Sequence, residues 1–444
     1  MSSCQISRAR RRILWVVGSF LWFADQAKAN DLEQAPIYYT KAPANNAISR
    51  LQQRLDTGKA SLGFDKKWGY LPALLNELKV PRSSQTLVFS KTSMQRHRIS
   101  PRTPRALYFN DEVYVGYCQY GAVVELTAVD PHLGAAFYTL EQKAAGKPRI
   151  VRQDYSCLVC HGSSQNQGFP GLLVRSVYVD NQGLPILSSG TFRIDQTSPL
   201  KERWGGWYVS GTHGQQKHLG NLIVRDSRAP EEIDNTPNLN VTDLSHRFRT
   251  ADYLTPHSDI VALMVLEHQA EMHNRIARAS FLTRIALYEE AELNKALGRP
   301  ASQRSDLTQR RIKSACEPVV KYLLFSGEAP LTAQVQGTSD FAREFAQQGP
   351  RDPRGRSLRE FDLKKRLFKY PCSYLIYSDV FDTLPEAARD YVLERLWDVL
   401  NQYDNGNDFA HLSADDCEAI RAILLTTKKN APAYWRSKSA SDSR

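Results

Sequence analysis

The sequence predicts an α+β fold on three observations. Between positions 83 and 248, apolar residues alternate with polar ones in short runs parted by turn residues, the period-two pattern of half-buried strands. On either side the apolar residues recur three and four apart, which is the period of helices. One stretch, from Asp259 to about Leu297, keeps that helical period with little interruption and is closed by Gly298 and Pro300. The expected layout is short helices and irregular chain over 30–82, a strand-rich central region over 83–248, and a mostly helical region over 249–444. A chain of 444 residues normally forms two or more domains, or one large core with a long insertion.

The first 29 residues read as a secretory signal peptide. Arg8, Arg10, Arg11 and Arg12 make a basic start, Ile13 to Phe23 is apolar, and Ala27-Lys28-Ala29 resembles a cleavage site before Asn30. The apolar run falls short of the about 20 residues that a membrane-spanning helix needs. The expected location is therefore the bacterial periplasm or the cell exterior. No later apolar run exceeds Ile260 to Leu266, so the mature chain is not expected to be an integral membrane protein. Cys4 precedes the apolar run and no cysteine directly follows the cleavage site, which argues against a lipid anchor.

Taken in order, Ile48, Leu51 and Leu55, then Leu71, Leu74, Leu75 and Leu78, mark short packing helices broken at Gly58, Gly63, Gly69 and Pro72. Leu87 to Ser90 begins the strands. Ala106–Phe109 and Val113–Tyr117 flank Asn110-Asp111, and Val123–Val129 and Ala135–Leu140 flank Asp130 to Gly134, so both pairs read as hairpins. Leu172–Val179 and Leu184–Phe192 suggest a third hairpin. Residues 203–214, Arg-Trp-Gly-Gly-Trp-Tyr-Val-Ser-Gly-Thr-His-Gly, are either a Gly-rich turn with Trp in the core or an aromatic wall against a flat ligand. Residues 230–256 read as a polar excursion. In the helical region Ile312–Phe325, Arg389–Leu400 and Asp415–Leu425 have helical spacing, and Ser413 with Asp416 forms a capping box. Asp404 to Asp408 fails the EF-hand template, because its glycine falls third and no Glu stands twelfth.

The chemistry concentrates in Cys157-Leu158-Val159-Cys160-His161. Two residues between the cysteines place both thiols on one turn, and the adjacent imidazole then points under whatever they hold, which is the attachment pattern of c-type haem. From 7 Cys and 10 His, roughly 0.003 such runs are expected by chance. A thioredoxin-like pair should open a helix after a buried strand, but Arg149 to Tyr155 is too charged for one. A structural zinc would want a second Cys/His pair at short spacing, and none follows. The expected cofactor is one covalent haem c, with thioethers from Cys157 and Cys160 and His161 as the proximal iron ligand.

The iron's other ligand is open at this level. His268 sits in an apolar stripe with Met264 and Met272 one turn away on either side, so its ring needs a hydrogen-bond partner or a metal. His213 and His218, in and after the Trp/Gly segment, are the other histidine candidates; Met94 and His97 lie in a basic loop. Six cysteines remain after export. Cys118, Cys316, Cys372 and Cys417 could form two disulfides in three connectivities or stay as buried thiols. Loss of 1–29 lowers the formal charge from +11 to about +7. That balance suits an acidic redox partner, an anionic membrane surface or plain solubility, and export leaves no occasion for nucleic acid.

At Cys157-Leu158-Val159-Cys160-His161 the chain resembles the c-type cytochromes. With the Trp204-Gly205-Gly206-Trp207 segment and the His268 helix, it is similar to a group of large exported bacterial proteins with a cytochrome c domain. The resemblance implies thioether roles for Cys157 and Cys160 and a ligand role for His161. It departs from small class I cytochromes, because no Met lies between Met94 and Met264 and the motif sits among strands. The expected function is one-electron transfer with a periplasmic redox partner. The rivals are a haem enzyme of peroxidase or oxidase type, with acid/base groups from His213, Arg203 or His268, and a haem-containing sensor or assembly subunit.

Overall fold

The computed structural model describes residues 32–225, 229–404 and 406–436, so the signal-peptide reading of 1–29 lies outside the described residues. The α+β class is the one observed. Seven strands form an antiparallel sheet in the order β6-β5-β4-β3-β2-β1-β9. They are β1 (Thr86–Val88), β2 (Arg105–Phe109), β3 (Val113–Tyr117), β4 (Val123–Asp130), β5 (Gly134–Glu141), β6 (Ile150–Arg152) and β9 (Trp207–Tyr208). Outside this sheet, β7 (Arg175–Val177) pairs with β8 (Thr191–Arg193), and β10 (Gly211–Thr212) pairs with β11 (Gln336–Gly337).

The first two hairpins fall where the alternation places them, with Phe109 opposite Tyr114 and Asp130 opposite Gly134. Asn110 closes its turn by accepting from the N–H groups of Glu112 and Val113. Gly134 is required twice over: its φ is +63°, and a Cβ would come within 2.9 Å of Ala277. The third hairpin is much shorter than its sequence suggests. Only three residues of each strand pair, because the intervening chain turns at Gly183 (φ +81°) and Gly190 (φ +94°) and carries Pro185.

Helix α1 (Ala47–Asp56) and helix α2 (Leu71–Glu77) cover one face of the sheet, where Ile48, Leu51, Leu71 and Leu74 cluster with Tyr108, Val115, Leu126 and Leu140. The other face is divided. At one end Phe109, Tyr114 and Val129 join the helical core. At the other lie Arg105, Gly116, Glu125 and Thr139, placed side by side by the register Gly116–Glu125–Thr139. Helix α3 (Tyr155–His161), which carries the cysteine motif, lies beside this polar end. It follows the edge strand β6, whose Val151 is exposed, in keeping with the charged segment before the motif.

Helix α4 (Ile260–Ala296) is the axis of the remainder, and at 1.5 Å per residue it is about 55 Å long. Its bounds match the sequence period. Buried Asp259 caps it by accepting from Val261 and Ala262, while its second carboxylate oxygen accepts from Thr338 and Ser339. Every residue from Ile260 to Ala270 is buried, Glu267, His268 and Gln269 included, so this end of the helix has no solvent face. Around it pack α5 (Asp306–Leu323), α6 (Phe341–Gln347), α7 (Asp379–Asp382), α8 (Glu386–Leu400) and α9 (Ala414–Thr427), the last opened by the expected Ser413–Asp416 capping box. One apolar cluster joins Val88, Phe109 and Trp204 to Leu263, Val320 and Trp397, so the strand-rich and helical regions share a core. Among the described residues no helix is long and apolar enough to cross a membrane.

Candidate functional site

The motif lies on a short surface helix of about two turns. None of the α3 residues is fully buried, and Tyr155 (81% exposed) and Val159 (77%) stand on its outer side. Its inner side holds the helix in place. Leu158 packs with Tyr39, Leu133 and Phe281, and the His161 ring lies 4.6 Å from the Phe137 ring of β5. Cys157 is half-buried, Cys160 is exposed, and the two thiols, one turn apart, are not joined to each other.

His161 is oriented by the chain that follows it. Its Nδ1–H donates to the Gly171 carbonyl at 2.8 Å, while the Gly171 N–H returns a bond to the His161 carbonyl at 3.0 Å. In the neutral ring this leaves the Nε2 lone pair as the free donor toward a metal. Burial lowers the His161 pKa below the usual imidazole value, outweighing the Gly171 carbonyl, so the ring is held neutral. The Gly171 loop is itself fastened to α4: Asn274 accepts from the Leu172 N–H at 2.7 Å and donates to the Leu172 carbonyl at 2.9 Å. Phe169 stacks on Phe281 at 5.7 Å. Arg193, on β8, joins Glu271 of α4 to the Gln165 carbonyl.

Beside the motif on the sheet, Arg105 forms an ion pair with Glu125, and Glu125 also accepts from Ser93 and Gln95. The charges of Arg105 and Glu125 act on both Cys157 and His161, and burial is the larger influence on each, raising the Cys157 pKa. The Arg105 guanidinium occupies the space over Gly116, where a Cβ would meet it at 2.2 Å. Sequence reasoning missed Phe137, Gly171, Asn274, Arg105 and Glu125. Only Gly171 carried a signal, since it ends residues 162–171, a stretch after the motif rich in Gly, Ser, Asn and Gln.

The histidines proposed for the iron's other face bond to groups outside α3, and His213 keeps a buried Nδ1 with no partner among the described residues. His268 is fully buried; its Nδ1–H donates to the Gln196 side-chain oxygen, and its Nε2 accepts from the Ser373 hydroxyl at 2.8 Å. Its ring is sandwiched among Tyr322, Phe325, Phe368 and Tyr374. The reason is the one the apolar stripe implies: a buried imidazole must be satisfied, and here protein groups satisfy it. His213 and His218 lie 4.6 Å apart, ring to ring, and each spends a lone pair on a backbone amide, from Asn240 (3.2 Å) and Gly220 (2.9 Å) respectively. Burial pushes His218 and His268 down to about 3, so both are neutral. Residues 203–214 are accordingly a turn into β9 with Trp204 in the core. Arg203 is bound to the buried carboxylate of Glu267. Met94 and His97 are exposed on the segment that Ser93 and Gln95 tie to Glu125.

Cys118, Cys316, Cys372 and Cys417 are buried and unpaired, so no disulfide forms among the described residues. Burial raises the first three thiols to about 12. Among the described residues no cluster of three or more Cys, His, Asp or Glu side chains is placed to hold a bare metal ion. The donor set at α3, two open thiols plus one imidazole with its Nδ1–H engaged and its Nε2 free, instead fits a prosthetic group that brings its own metal and takes covalent anchors. Compared with known proteins, the chain matches no family model, no curated protein and no solved structure.

Proposed function

We propose that this chain is an exported monohaem c-type cytochrome that passes single electrons to and from a protein partner. One observation carries the reading: the Cys157, Cys160 and His161 turn stands open at the surface, with His161 locked by the Gly171 carbonyl so that Nε2 is its free nitrogen. Cys157 and Cys160 would hold haem c through thioethers and His161 would ligate its iron; the group, once bound, supplies a one-electron couple. The chain's own work is to orient. Gly171 sets the imidazole tautomer, Asn274 fastens the loop that carries Gly171, and Leu158 and Phe169 seat the helix and loop on α4.

An electron carrier is favoured over a peroxidase or oxidase because Arg203 and His268, two of the three acid/base groups such an enzyme would use, are committed elsewhere. Arg203 is paired with Glu267, both nitrogens of His268 are occupied, and His213 faces Asn240 and His218. Two clefts, one around Phe109 and Phe345 and one around Asn46 and Val380, are lined by residues other than the motif. An attachment turn on the outer surface lets a partner approach directly.

The test is export of the full chain, with its first 29 residues, in a bacterium that attaches haem c. The denatured protein is expected to retain one haem by mass, and to lose it in Cys157→Ala/Cys160→Ala. The folded protein is expected to exchange electrons with outer-sphere reagents and not to consume peroxide. A chain exported without covalent haem would overturn the reading, and peroxide turnover would replace the carrier with the enzyme. Spectra of Met94→Ala and His97→Ala identify whether either side chain completes the iron's coordination.

A further inference from the structure

Residues 91–110 contain no acidic residue and five cationic ones, Lys91, Arg96, Arg98, Arg102 and Arg105. Among the described residues only Arg105 of these five has an ion pair. Arg96, Arg98 and Arg102 are exposed, and among the described residues none of the three has an ion pair or a side-chain hydrogen bond. Long surface arginines normally find a carboxylate where one is within reach. Three left bare on one short segment make a local positive field that the overall charge does not describe.

The segment is also rigidly presented, which a chance run of charge on a loose loop would not be. Gln95 is buried and clasps β4 through the Val123 backbone and Glu125. Ile99 is in the core, and Thr103 bonds the Ser100 hydroxyl and the Arg98 carbonyl. The carbonyls of Pro101 and Pro104 accept from the buried hydroxyls of Tyr208 and Tyr253. The β3–β4 turn leans on the same Gln95, whose side-chain oxygen would meet a Cβ on Gly121 at 2.7 Å, and the neighbouring Tyr120 is 81% exposed. Exposed tyrosine beside preorganised arginines is the composition of interface anchors, and the guanidinium fork matches carboxylates in two-point geometry. The patch adjoins the motif: Ser93 and Gln95 hold the Glu125 carboxylate, Glu125 stands opposite Thr139 on β5, and Thr139 accepts from Gln153, two residues before α3.

We infer that Arg96, Arg98, Arg102 and Tyr120 form the docking surface for an acidic redox protein, placed so that its electron enters or leaves at α3. This rests on the proposed cytochrome function and names the partner's chemistry. An anionic membrane would meet the same charges but would press lipid against the attachment turn, where a redox protein needs to approach, so the protein partner is the reading taken.

The experiment uses the full haem-loaded chain and its Arg96→Glu/Arg98→Glu/Arg102→Glu variant, first checked for an unchanged haem spectrum; a neutral Arg→Gln triple serves if the reversal fails to fold. The ferrous proteins are oxidised by hexacyanoferrate(III), each haem giving one electron to form hexacyanoferrate(II), and by a small acidic blue-copper protein, whose Cu(II) becomes Cu(I). At low ionic strength the reversal is expected to slow both oxidants by about tenfold or more, with the difference vanishing at high salt. Oxidation by a cationic cobalt(III) complex should instead quicken. Equal rates for variant and parent would overturn the inference. So would binding to vesicles rich in phosphatidylglycerol that depends on these arginines, with no effect on the copper protein; that result would make the patch a membrane contact. If the parent chain carries no covalent haem, the function itself has failed, an outcome seen before any rate is measured.

Discussion

Two helices carry histidines, His161 on α3 and His268 on α4, and they treat them in opposite ways. On α3 a short turn has no buried residue, its thiols are open, and His161 makes one hydrogen bond through Nδ1. On α4, His268 is sealed by aromatic rings and bonded through both nitrogens. The sequence makes His161 the expected proximal ligand from its place after Cys160, and His268 one of three histidine candidates for the other face, because its apolar stripe demands a partner. Counting hydrogen bonds separates them. His161 bonds through Nδ1 alone, whereas His268 spends both nitrogens on protein partners.

The widest expected gap between the two regions is in thiol reactivity, measured on haem-free chain. Alkylation under native conditions should modify Cys160 and then Cys157, while Cys118, Cys316, Cys372 and Cys417 react only on unfolding, slower by about 100-fold or more. Mass spectrometry of timed digests reads this directly, and fast labelling of Cys372 would mean that the helical core is not closed.

Acid should attack the sealed region next. Burial holds His218, His268 and His273 at about 3, against 6.5 for an ordinary imidazole. A depressed folded-state pKa gives stability that is complete above pH 6.5 and lost as pH falls toward 3, one proton taken up per ring on unfolding. Glu267 has the opposite sign. Burial lifts it to about 8 despite the Arg203 contact, so its contribution falls as pH rises from 4.5 to 8. Near pH 5 the three rings take up more protons on unfolding than Glu267 releases, a net of about two, or roughly 3 kcal/mol per pH unit. Denaturant midpoints across pH 4.5–6.5 should show that steepness, and Glu267→Gln should increase it.

His268→Ala tests the sealed histidine itself. It leaves Gln196 and Ser373 without their partner and opens a cavity among aromatic rings, at an expected cost of about 3–5 kcal/mol. The haem spectrum should not change; a change of spin state would return His268 to the iron. Asn274→Ala is the smallest perturbation, removing two hydrogen bonds to Leu172 for about 1–2 kcal/mol. Because Asn274 steadies the loop that orients His161, the haem-loaded variant should also show an altered ligand-field spectrum, and a purely thermal effect would show that the loop holds its shape unaided.

Much of the fold was legible in the sequence because its signals are local. The Asn110 and Gly134 turns, the period of α4 from its Asp259 cap to Gly298, and the Ser413–Asp416 capping box each rest on residues a few positions apart. The β7–β8 ladder was not legible at its true length, since Gly183, Pro185 and Gly190 give turns without saying how much strand survives between them. The split of the sheet's outer face was also hidden. Arg105, Gly116 and Glu125 come from three strands and become neighbours only through their register.

At the site, sequence by itself determined which residues could anchor a haem, because the Cys157–Cys160–His161 spacing is a property of one helical turn. Tertiary structure decided which histidines had nitrogens to offer. The Gly171 carbonyl that frees His161 Nε2 is ten residues away and held by Asn274, and the Ser373 hydroxyl that closes off His268 is 105 residues away. A buried imidazole takes whatever partner the packed chain supplies, and that partner is set by which segments meet in the core, not by the residues next to it.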